Sequence, residues 1–99
     1  MAKLVRDRIP EIIKSKGKLV VIHKASEEEY KVKLREKLQE EVDEFLESED
    51  EEELADILEV IEAICSFKKI DRRKLERKRL KKKEERGGFY KRIILDEAE

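Results

Sequence analysis

Two segments on either side of residue 50 decide the fold: KLQEEVDEF at 37–45 and EEELADILEVIE at 51–62. Residues 30–45, which include the first segment, have an apolar side chain at every third or fourth position. This spacing predicts a helix with one apolar stripe. Its members are Tyr30, Leu34, Leu38, Val42 and Phe45. The second segment repeats this spacing after a short acidic turn. We therefore predict an antiparallel hairpin of two long helices.

Capping signals predict where these helices begin and end. Ser26 followed three residues later by Glu29 is a capping box, so the first long helix is predicted to begin there and to reach about Ser48. The second is predicted from about Glu51 to Phe67, because the apolar spacing continues over that range.

Two flanking helices complete the all-α fold class. A first helix of roughly ten residues is predicted within 3–16, with Asp7 as its N-cap and Gly17 in a left-handed C-terminal position. A basic helix is predicted over 72–86, with Asp71 as its N-cap. The segments KLVVIHK (18–24) and FYKRIIL (89–95) are rich in β-branched and aromatic residues, which predicts a minor two-stranded β element.

Length and composition indicate a single domain, 1–99, with a thin core. The chain has 99 residues, of which 38% are hydrophobic and 5% aromatic. A lone core of this size buries barely enough surface to offset chain entropy, which favours a partner subunit. Charged residues make up 52%, Asn and Thr are absent, and this composition is typical of proteins from hot habitats.

The sequence also argues against several other classes of protein. The beginning, MAKLVRDRIP, is too charged for a signal peptide, and no stretch approaches the roughly 18 apolar residues of a membrane span. The expectation is a cytoplasmic protein with no membrane partner. Cys65 is the single cysteine and is predicted to be a buried small hydrophobe, and His23, the single histidine, a packed or surface side chain.

Four carboxylates fall on the apolar sides of the two long helices. At about 100° per residue, Glu41 lies on the midline of the first stripe and Glu44 lies about 60° to one side. On the second helix Glu53 lies on the midline and Asp56 lies about 60° to one side. The same angles direct five other acidic residues away from the stripes: Glu36, Asp43, Glu47, Glu59 and Glu62.

If the stripes face each other, these four carboxylates converge and repel one another. A bound divalent cation would remove that repulsion, and all-oxygen ligands suit Mg²⁺, with Mn²⁺ as a substitute. A di-iron bundle would need Glu-x-x-His motifs, which are absent. The alternative is that 26 acidic residues produce such spacings by chance on solvated faces.

The chain resembles the MazG-like, all-α nucleoside triphosphate pyrophosphohydrolases at these residues. That family's pattern, Glu-Glu-x-x-Glu and then Glu-x-x-Asp, is matched by Glu40, Glu41 and Glu44 followed by Glu53 and Asp56. The ends, KLVRDRIPEIIKSKG (3–17) and KKKEERGGFYKRIIL (81–95), look like a small branch related to phosphoribosyl-ATP pyrophosphatase. The resemblance therefore covers nearly the whole chain.

The resemblance implies Mg²⁺-dependent cleavage of a nucleoside triphosphate between its α and β phosphates, giving a monophosphate and pyrophosphate. It implies a house-cleaning or phosphoribosyl-ATP-like substrate. It also implies a four-helix core that two subunits complete, hence a homodimer or higher homo-oligomer. The catalytic base would be Glu40 or Glu41. The metal ligands would be Glu41, Glu44, Glu53 and Asp56.

A triphosphate brings negative charge that carboxylates alone would repel. The candidate phosphate ligands are Lys37, Lys82, Arg86 and Arg92, with solvated surface charge as the alternative for each. Arg6 and Arg8 are weaker candidates, because RDRIP could simply fasten the N-terminus. The identity of the substrate's nucleobase is left open. Phe89 or Tyr90 could stack on this nucleobase, although packing in a core or strand is favoured for both.

Two other functions compete with an enzyme. The basic helix 72–86 could bind nucleic acid while the acidic hairpin only dimerises. Nucleic acid is the less favoured partner, because dimerisation does not call for Glu41 and Glu53 within the apolar stripes. A regulatory protein that keeps the family fold without activity is the third possibility.

Overall fold

The computed structural model describes residues 2–99, which form four α-helices joined by turns and irregular segments. The helices are α1 (Ile9–Ser15), α2 (Glu27–Ser48), α3 (Glu51–Lys68) and α4 (Arg72–Arg86). This confirms the predicted all-α class. None of these helices combines the length and the apolar composition that a membrane crossing requires. The chain divides into two compact units, one ending at Lys68 and one running from Lys69 to Glu99.

Side-chain and backbone caps define the hairpin of the first unit. Ser26 Oγ accepts the backbone N–H of Glu29 at 3.2 Å, as the capping box predicts for the start of α2. At the other end Glu49 adopts the left-handed conformation (φ 55°), and its N–H donates to the Phe45 carbonyl at 2.7 Å. Asp50 Oδ1 then accepts from the Glu52 N–H. The two-residue connection makes α2 and α3 neighbours that pack together, so the predicted hairpin is confirmed.

A small core lies between α2 and α3. Leu34, Val60 and Cys65 are buried, with 2%, 8% and 3% of their surfaces exposed, which confirms the prediction for Cys65. The rings of Tyr30 and Phe67 pack edge to face with centroids 5.2 Å apart, a favourable aromatic geometry. Few apolar side chains are fully covered, so the hairpin has little hydrophobic stabilisation of its own.

Helix α1 is shorter than predicted, and its predicted N-cap is wrong. It has seven residues and begins after Arg8, whose side chain makes no capping hydrogen bond. Pro10, in the first turn, has no N–H and fits there, whereas Asp7 lies one residue too early to cap the helix. Gly17 has the predicted left-handed conformation, with φ 77°.

The predicted two-stranded β element is wrong, because the structure has no strand anywhere in residues 2–99. In the two segments predicted as strands, Leu19, Val21 and Phe89 are 100%, 99% and 98% exposed. Strand formation depends on cross-strand packing, and two-stranded ribbons are marginal without it. The β-branched residues at 18–24 and 89–95 have no such support.

The second unit consists of α4 and the segment that follows it. Asp71 Oδ1 caps the helix by accepting the N–H of Arg73 at 2.8 Å. Gly87, with φ 84°, ends it, and its N–H donates to the Lys83 carbonyl. The helix therefore has its predicted bounds. It contains no buried residue, and beyond it Lys83 Nζ lies 5.4 Å from the centroid of the Tyr90 ring.

Candidate metal centre

Three of the four predicted carboxylates meet between α2 and α3. One oxygen each from Glu41, Glu53 and Asp56 lies within 4.8 Å of the other two. A second group at the same spacing consists of Glu40, Glu41 and Glu44. Glu41 belongs to both groups, so it is the centre of the cluster.

The packing of the hairpin explains this convergence. Glu41 follows the buried Leu34 by seven residues, which is close to two helical turns and places both on one side of α2. Val60 follows Glu53 by seven residues and Asp56 by four, so the three share a side of α3. Burying Leu34 and Val60 therefore turns these carboxylates toward the neighbouring helix.

Two carboxylate oxygens of the cluster are buried without a hydrogen-bond donor. They are Glu41 Oε2 and Glu53 Oε2, and the whole Glu41 residue is only 5% exposed. A buried polar atom left without a partner costs about 1–3 kcal/mol, and a charged one costs more. The arrangement is therefore favourable only with a proton or a cation among the carboxylates.

The electrostatics of Glu53 show the same need for positive charge. Burial raises the pKa of Glu53, and a hydrogen bond with Glu44 and the charges of Glu44, Asp56 and Glu41 raise it further. Together these effects move the pKa of Glu53 from 4.5 to about 7. At neutral pH Glu53 therefore holds a proton for much of the time, and that proton competes with any cation.

Glu44 occupies the edge of the cluster. It is exposed, although the helical angles direct it toward the partner helix. Its position on the shoulder of the stripe, about 60° from Glu41, leaves one side open to solvent. The carboxylate still reaches Glu53 and the group around Glu41.

Lys37 is the hairpin's own cation at this site, and its predicted role as a phosphate ligand stays a prediction. Its Nζ lies 3.2 Å from Glu41 Oε1 and 3.3 Å from Glu40 Oε2. Burial lowers the pKa of Lys37, but the hydrogen bonds and charges of Glu41 and Glu40 outweigh burial and raise it. Burial likewise raises the pKa of Glu40, and contacts with Lys37 and Lys3 reverse the effect and lower it. Lys37 and Glu40 are therefore both charged at neutral pH.

Two further cations come from the N-terminal segment. Arg6 Nη2 donates to Asp56 Oδ1 at 2.7 Å, and Lys3 Nζ donates to Glu40 Oε1 at 3.3 Å. Lys3 is not among the site residues predicted from the sequence, and Arg6 is one of the weaker candidates. The sequence contains one signal for such cations, which is the charge imbalance of residues 36–62. Lys37 is the single basic residue there among many acidic ones.

A groove of about 460 Å³ opens beside the cluster. Glu41 and Asp56 lie in its wall, together with the cations Arg6 and Lys37 and the ring of Tyr30. Glu59 also lines the groove, although its helical angle directs it away from the apolar stripe, and it belongs to neither carboxylate group. The groove thus joins carboxylates, cations and an aromatic ring.

The other predicted phosphate ligands belong to the second unit. Lys82, Arg86 and Arg92 are exposed there, and their role stays a prediction. Phe89 and Tyr90 are 98% and 84% exposed, so the favoured interpretation that they pack in a core or strand is wrong. Their side chains are accessible to a ligand.

The donor set fits a hard divalent cation such as Mg²⁺. It consists of carboxylate oxygens alone, two of which are buried and have no donor. Mg²⁺ and Mn²⁺ prefer such oxygen ligands. Glu41, Glu53 and Asp56 are the residues that could hold the ion, with Glu44 at the edge.

Comparison with known proteins leaves the family of the chain open. No family profile and no solved structure matches it. A stretch of 45 residues is 53% identical to an uncharacterized protein of Mycolicibacterium smegmatis. This match covers 46% of the chain and 46% of that protein, so the chain spans about half the length of the relative. The geometry of the carboxylate cluster is therefore the basis for assigning a function.

Proposed function

We propose that this protein is a MazG-like, Mg²⁺-dependent pyrophosphohydrolase that cleaves a nucleoside triphosphate between its α and β phosphates. The observation that supports the proposal is the meeting of Glu41, Glu53 and Asp56, with two buried carboxylate oxygens lacking a donor. A structural ion pair would not require these unpaired oxygens. A cation site would require them, because they are the oxygens that bind the ion, and this site lies beside a groove that also contains cations.

In this proposal Glu41, Glu53 and Asp56 hold the ion, assisted by Glu44. The bound Mg²⁺ would offset the negative charge that develops on the phosphate oxygens. Water oxygen bonds to the α phosphorus, the bond from that phosphorus to the α–β bridging oxygen breaks, and the water's proton passes to a carboxylate. The products are a nucleoside monophosphate and pyrophosphate.

Of the two predicted bases, Glu41 is the better acceptor of that proton. Both oxygens of Glu40 already accept from lysines, Oε1 from Lys3 and Oε2 from Lys37, and its pKa is lowered. Glu41 Oε2 has no donor, and because it is also the oxygen proposed to bind the ion, Glu41 would accept the proton on a lone pair that the ion leaves free. A general base needs a free lone pair within reach of the proton it removes.

Positive charge in the groove would position the substrate. Lys37 lines the groove. Its ammonium group, which contacts Glu40 and Glu41, could also bind a phosphate. Lys82, Arg86 and Arg92 are proposed as additional phosphate ligands. Phe89 and Tyr90 are exposed aromatic rings that could stack on the base.

We also propose that two subunits pair their hairpins into a four-helix core. On α3, Leu54 and Leu58 are 45% and 58% exposed and lie about 40° apart around the helix. They lie about 100–140° from Glu53, away from the side that turns toward α2. A second copy covering them would add the apolar burial that the hairpin lacks.

The deciding experiment measures pyrophosphate release from standard and modified nucleoside triphosphates with Mg²⁺. Wild type should be active, and Glu41→Gln and Asp56→Asn should each lower kcat/KM at least about 100-fold, because each removes a carboxylate ligand of the Mg²⁺ that offsets the phosphate charge. Glu47→Gln removes the same charge from an exposed position of α2 and should retain activity. Circular dichroism should show equal helix content in all four proteins.

Two results would reject the enzyme. The first is an inactive wild type that also binds no Mg²⁺. The second is full activity in both Glu41→Gln and Asp56→Asn, which would remove the carboxylate cluster from the mechanism.

Nucleic-acid binding is the second candidate, and the composition of α4 favours it. Ten of its fifteen residues are Lys or Arg, and none is buried. Phosphate contacts by such a helix make affinity fall steeply with salt. Binding to a labelled oligonucleotide that weakens with salt and is unchanged by Glu41→Gln would support this function. Absence of such binding at about 50 mM salt, where these contacts are strong, would reject it.

A further inference from the structure

Asp56 has two roles that conflict. Its Oδ1 accepts from Arg6 Nη2 at 2.7 Å, and an oxygen of the same carboxylate belongs to the group with Glu41 and Glu53. A guanidinium and a divalent cation are both attracted to this carboxylate and repel each other at such short range. Binding of either one at Asp56 therefore weakens binding of the other.

We propose that Arg6 is a phosphate ligand for the nucleotide. Asp56 holds the Arg6 guanidinium until a divalent cation binds to the Asp56 carboxylate. The inference rests on the proposed function. Binding of the cation at Glu41, Glu53 and Asp56 would displace the guanidinium. Arg6 would then turn into the groove and bind the substrate.

Several observations favour Arg6 over the other cations near the cluster. Arg6 lines the groove, and its side chain is 54% exposed, so it can move without unpacking a core. It lies in an irregular segment before α1, and its carbonyl accepts the Ile9 N–H at 3.0 Å, so the proposed movement is a rotation of the side chain rather than of the backbone. Lys37, by comparison, is 16% exposed and contacts both Glu40 and Glu41.

The chemistry of the guanidinium suits a phosphate. Its planar fork of donors matches two phosphate oxygens, whereas an ammonium acts as a point charge. Within residues 2–99 Asp56 is the carboxylate to which Arg6 donates, so a cation at Asp56 leaves the guanidinium without that partner. A triphosphate in the groove would supply the negative charge that Asp56 no longer offers.

The test compares wild type with Arg6→Gln in two binding measurements. Titration calorimetry gives the affinity for Mn²⁺ alone, and then the affinity for α,β-methylene nucleoside triphosphates at saturating Mg²⁺. The methylene group replaces the oxygen at the bond to be cleaved, so no turnover occurs. Arg6→Gln should bind Mn²⁺ roughly 3- to 10-fold more tightly, because the competing cation is gone, and the nucleotide analogues at least about 10-fold more weakly.

A matched variant controls for the lost charge. Lys16→Gln removes one positive charge from an exposed position in the same unit and should change neither affinity by more than about twofold, because exposed charges are screened. Arg6→Lys keeps the charge without the fork. It should bind Mn²⁺ nearly as wild type does and the analogues with intermediate affinity.

The binding results for wild type test the proposed function, and those for Arg6→Gln test the role of Arg6. If wild type binds neither Mn²⁺ nor any analogue, the proposed function fails and the inference fails with it. If wild type binds both, the proposed function stands. Any result for Arg6→Gln other than opposite changes in the two affinities then overturns the role of Arg6 alone, because a merely structural role would weaken both or leave both unchanged.

Discussion

Arg6 and Asp56 are fifty positions apart in the sequence, yet Nη2 of the guanidinium lies 2.7 Å from Oδ1 of the carboxylate. The pair fastens the N-terminal segment to α3, and Lys3 with Glu40 makes a similar contact to α2. In the Arg6 pair the two side chains remain 54% and 36% exposed. Water and salt therefore screen the attraction between them.

The first prediction concerns the stability that this ion pair provides. Arg6→Gln should lower the free energy of unfolding by no more than about 1 kcal/mol, because exposed ion pairs contribute little. Urea unfolding of wild type, Arg6→Gln and Lys16→Gln measures the effect. A loss well beyond that of the Lys16 variant would show that Arg6 holds the fold together.

The second prediction concerns pH. The pKa of Glu53 is about 7 in the folded chain, against 4.5 for an ordinary glutamate. Below pH 4.5 the group is protonated in both the folded and the unfolded chain. Between pH 4.5 and 7 only the folded chain keeps the proton, so stability should fall as the pH rises through this range.

Urea unfolding at several pH values in the presence of a chelator measures this fall. Glu53→Gln should make it shallower, because glutamine carries no titrating proton. Glu47→Gln lies on an exposed part of α2 and should keep the wild-type dependence. Identical curves for Glu53→Gln and wild type would contradict the assignment.

The third prediction concerns stabilisation by Mg²⁺. A cation at 100 times its Kd adds about 2.7 kcal/mol to the stability of the state that binds it. For a chain of this size that corresponds to a rise in Tm of roughly 10–20 °C. Thermal unfolding with MgCl₂, and with KCl at equal ionic strength, measures the specific part. Glu41→Gln should abolish the rise, and Glu47→Gln should retain it.

The fourth prediction concerns assembly. Leu58 is 58% exposed on α3 and is proposed to lie between two subunits, so Leu58→Lys should convert a dimer into monomers. Leu19 is fully exposed in the irregular segment 18–24, and Leu19→Lys should leave the mass unchanged. Sedimentation equilibrium gives the mass. A wild type with the mass of one chain would contradict the dimer.

The fifth prediction concerns thermal stability. Charged residues form 52% of the chain, and their ion pairs become less costly to desolvate as temperature rises. Scanning calorimetry should therefore give a Tm above about 65 °C, beyond the range of most mesophilic domains. A midpoint of about 45–65 °C would reject a hot habitat as the source.

The hairpin and α4 could be predicted from sequence because their signals are local. Ser26 and Asp71 cap their helices with their own side chains, and neither needs a distant residue to do so. The inward position of Glu41 and Glu53 followed from the fixed angle per residue of a helix. A rigid element carries the side-chain pattern of the sequence directly into space.

The rest of the site depends on contacts between residues far apart in the sequence, which a periodic pattern of apolar residues does not reveal. Arg6 and Lys3 reach the hairpin from a segment without regular structure, so their partners could not be counted along a helix. Residues 18–24 and 89–95 have the composition of strands, but strand formation depends on a neighbour that the sequence does not specify. The exposure of Glu44 depends on how deeply the hairpin packs, which helical angles alone do not give.

The two-residue connection between α2 and α3 also bears on the order in which the site forms during folding. Glu41 and Glu53 are only twelve positions apart, whereas Arg6 must close a loop of fifty residues to reach Asp56. The longer closure costs about 1.3 kcal/mol more in chain entropy. We therefore expect the carboxylates to assemble early and the arginine to arrive late, so that a newly folded hairpin meets dissolved cations before it meets its own guanidinium.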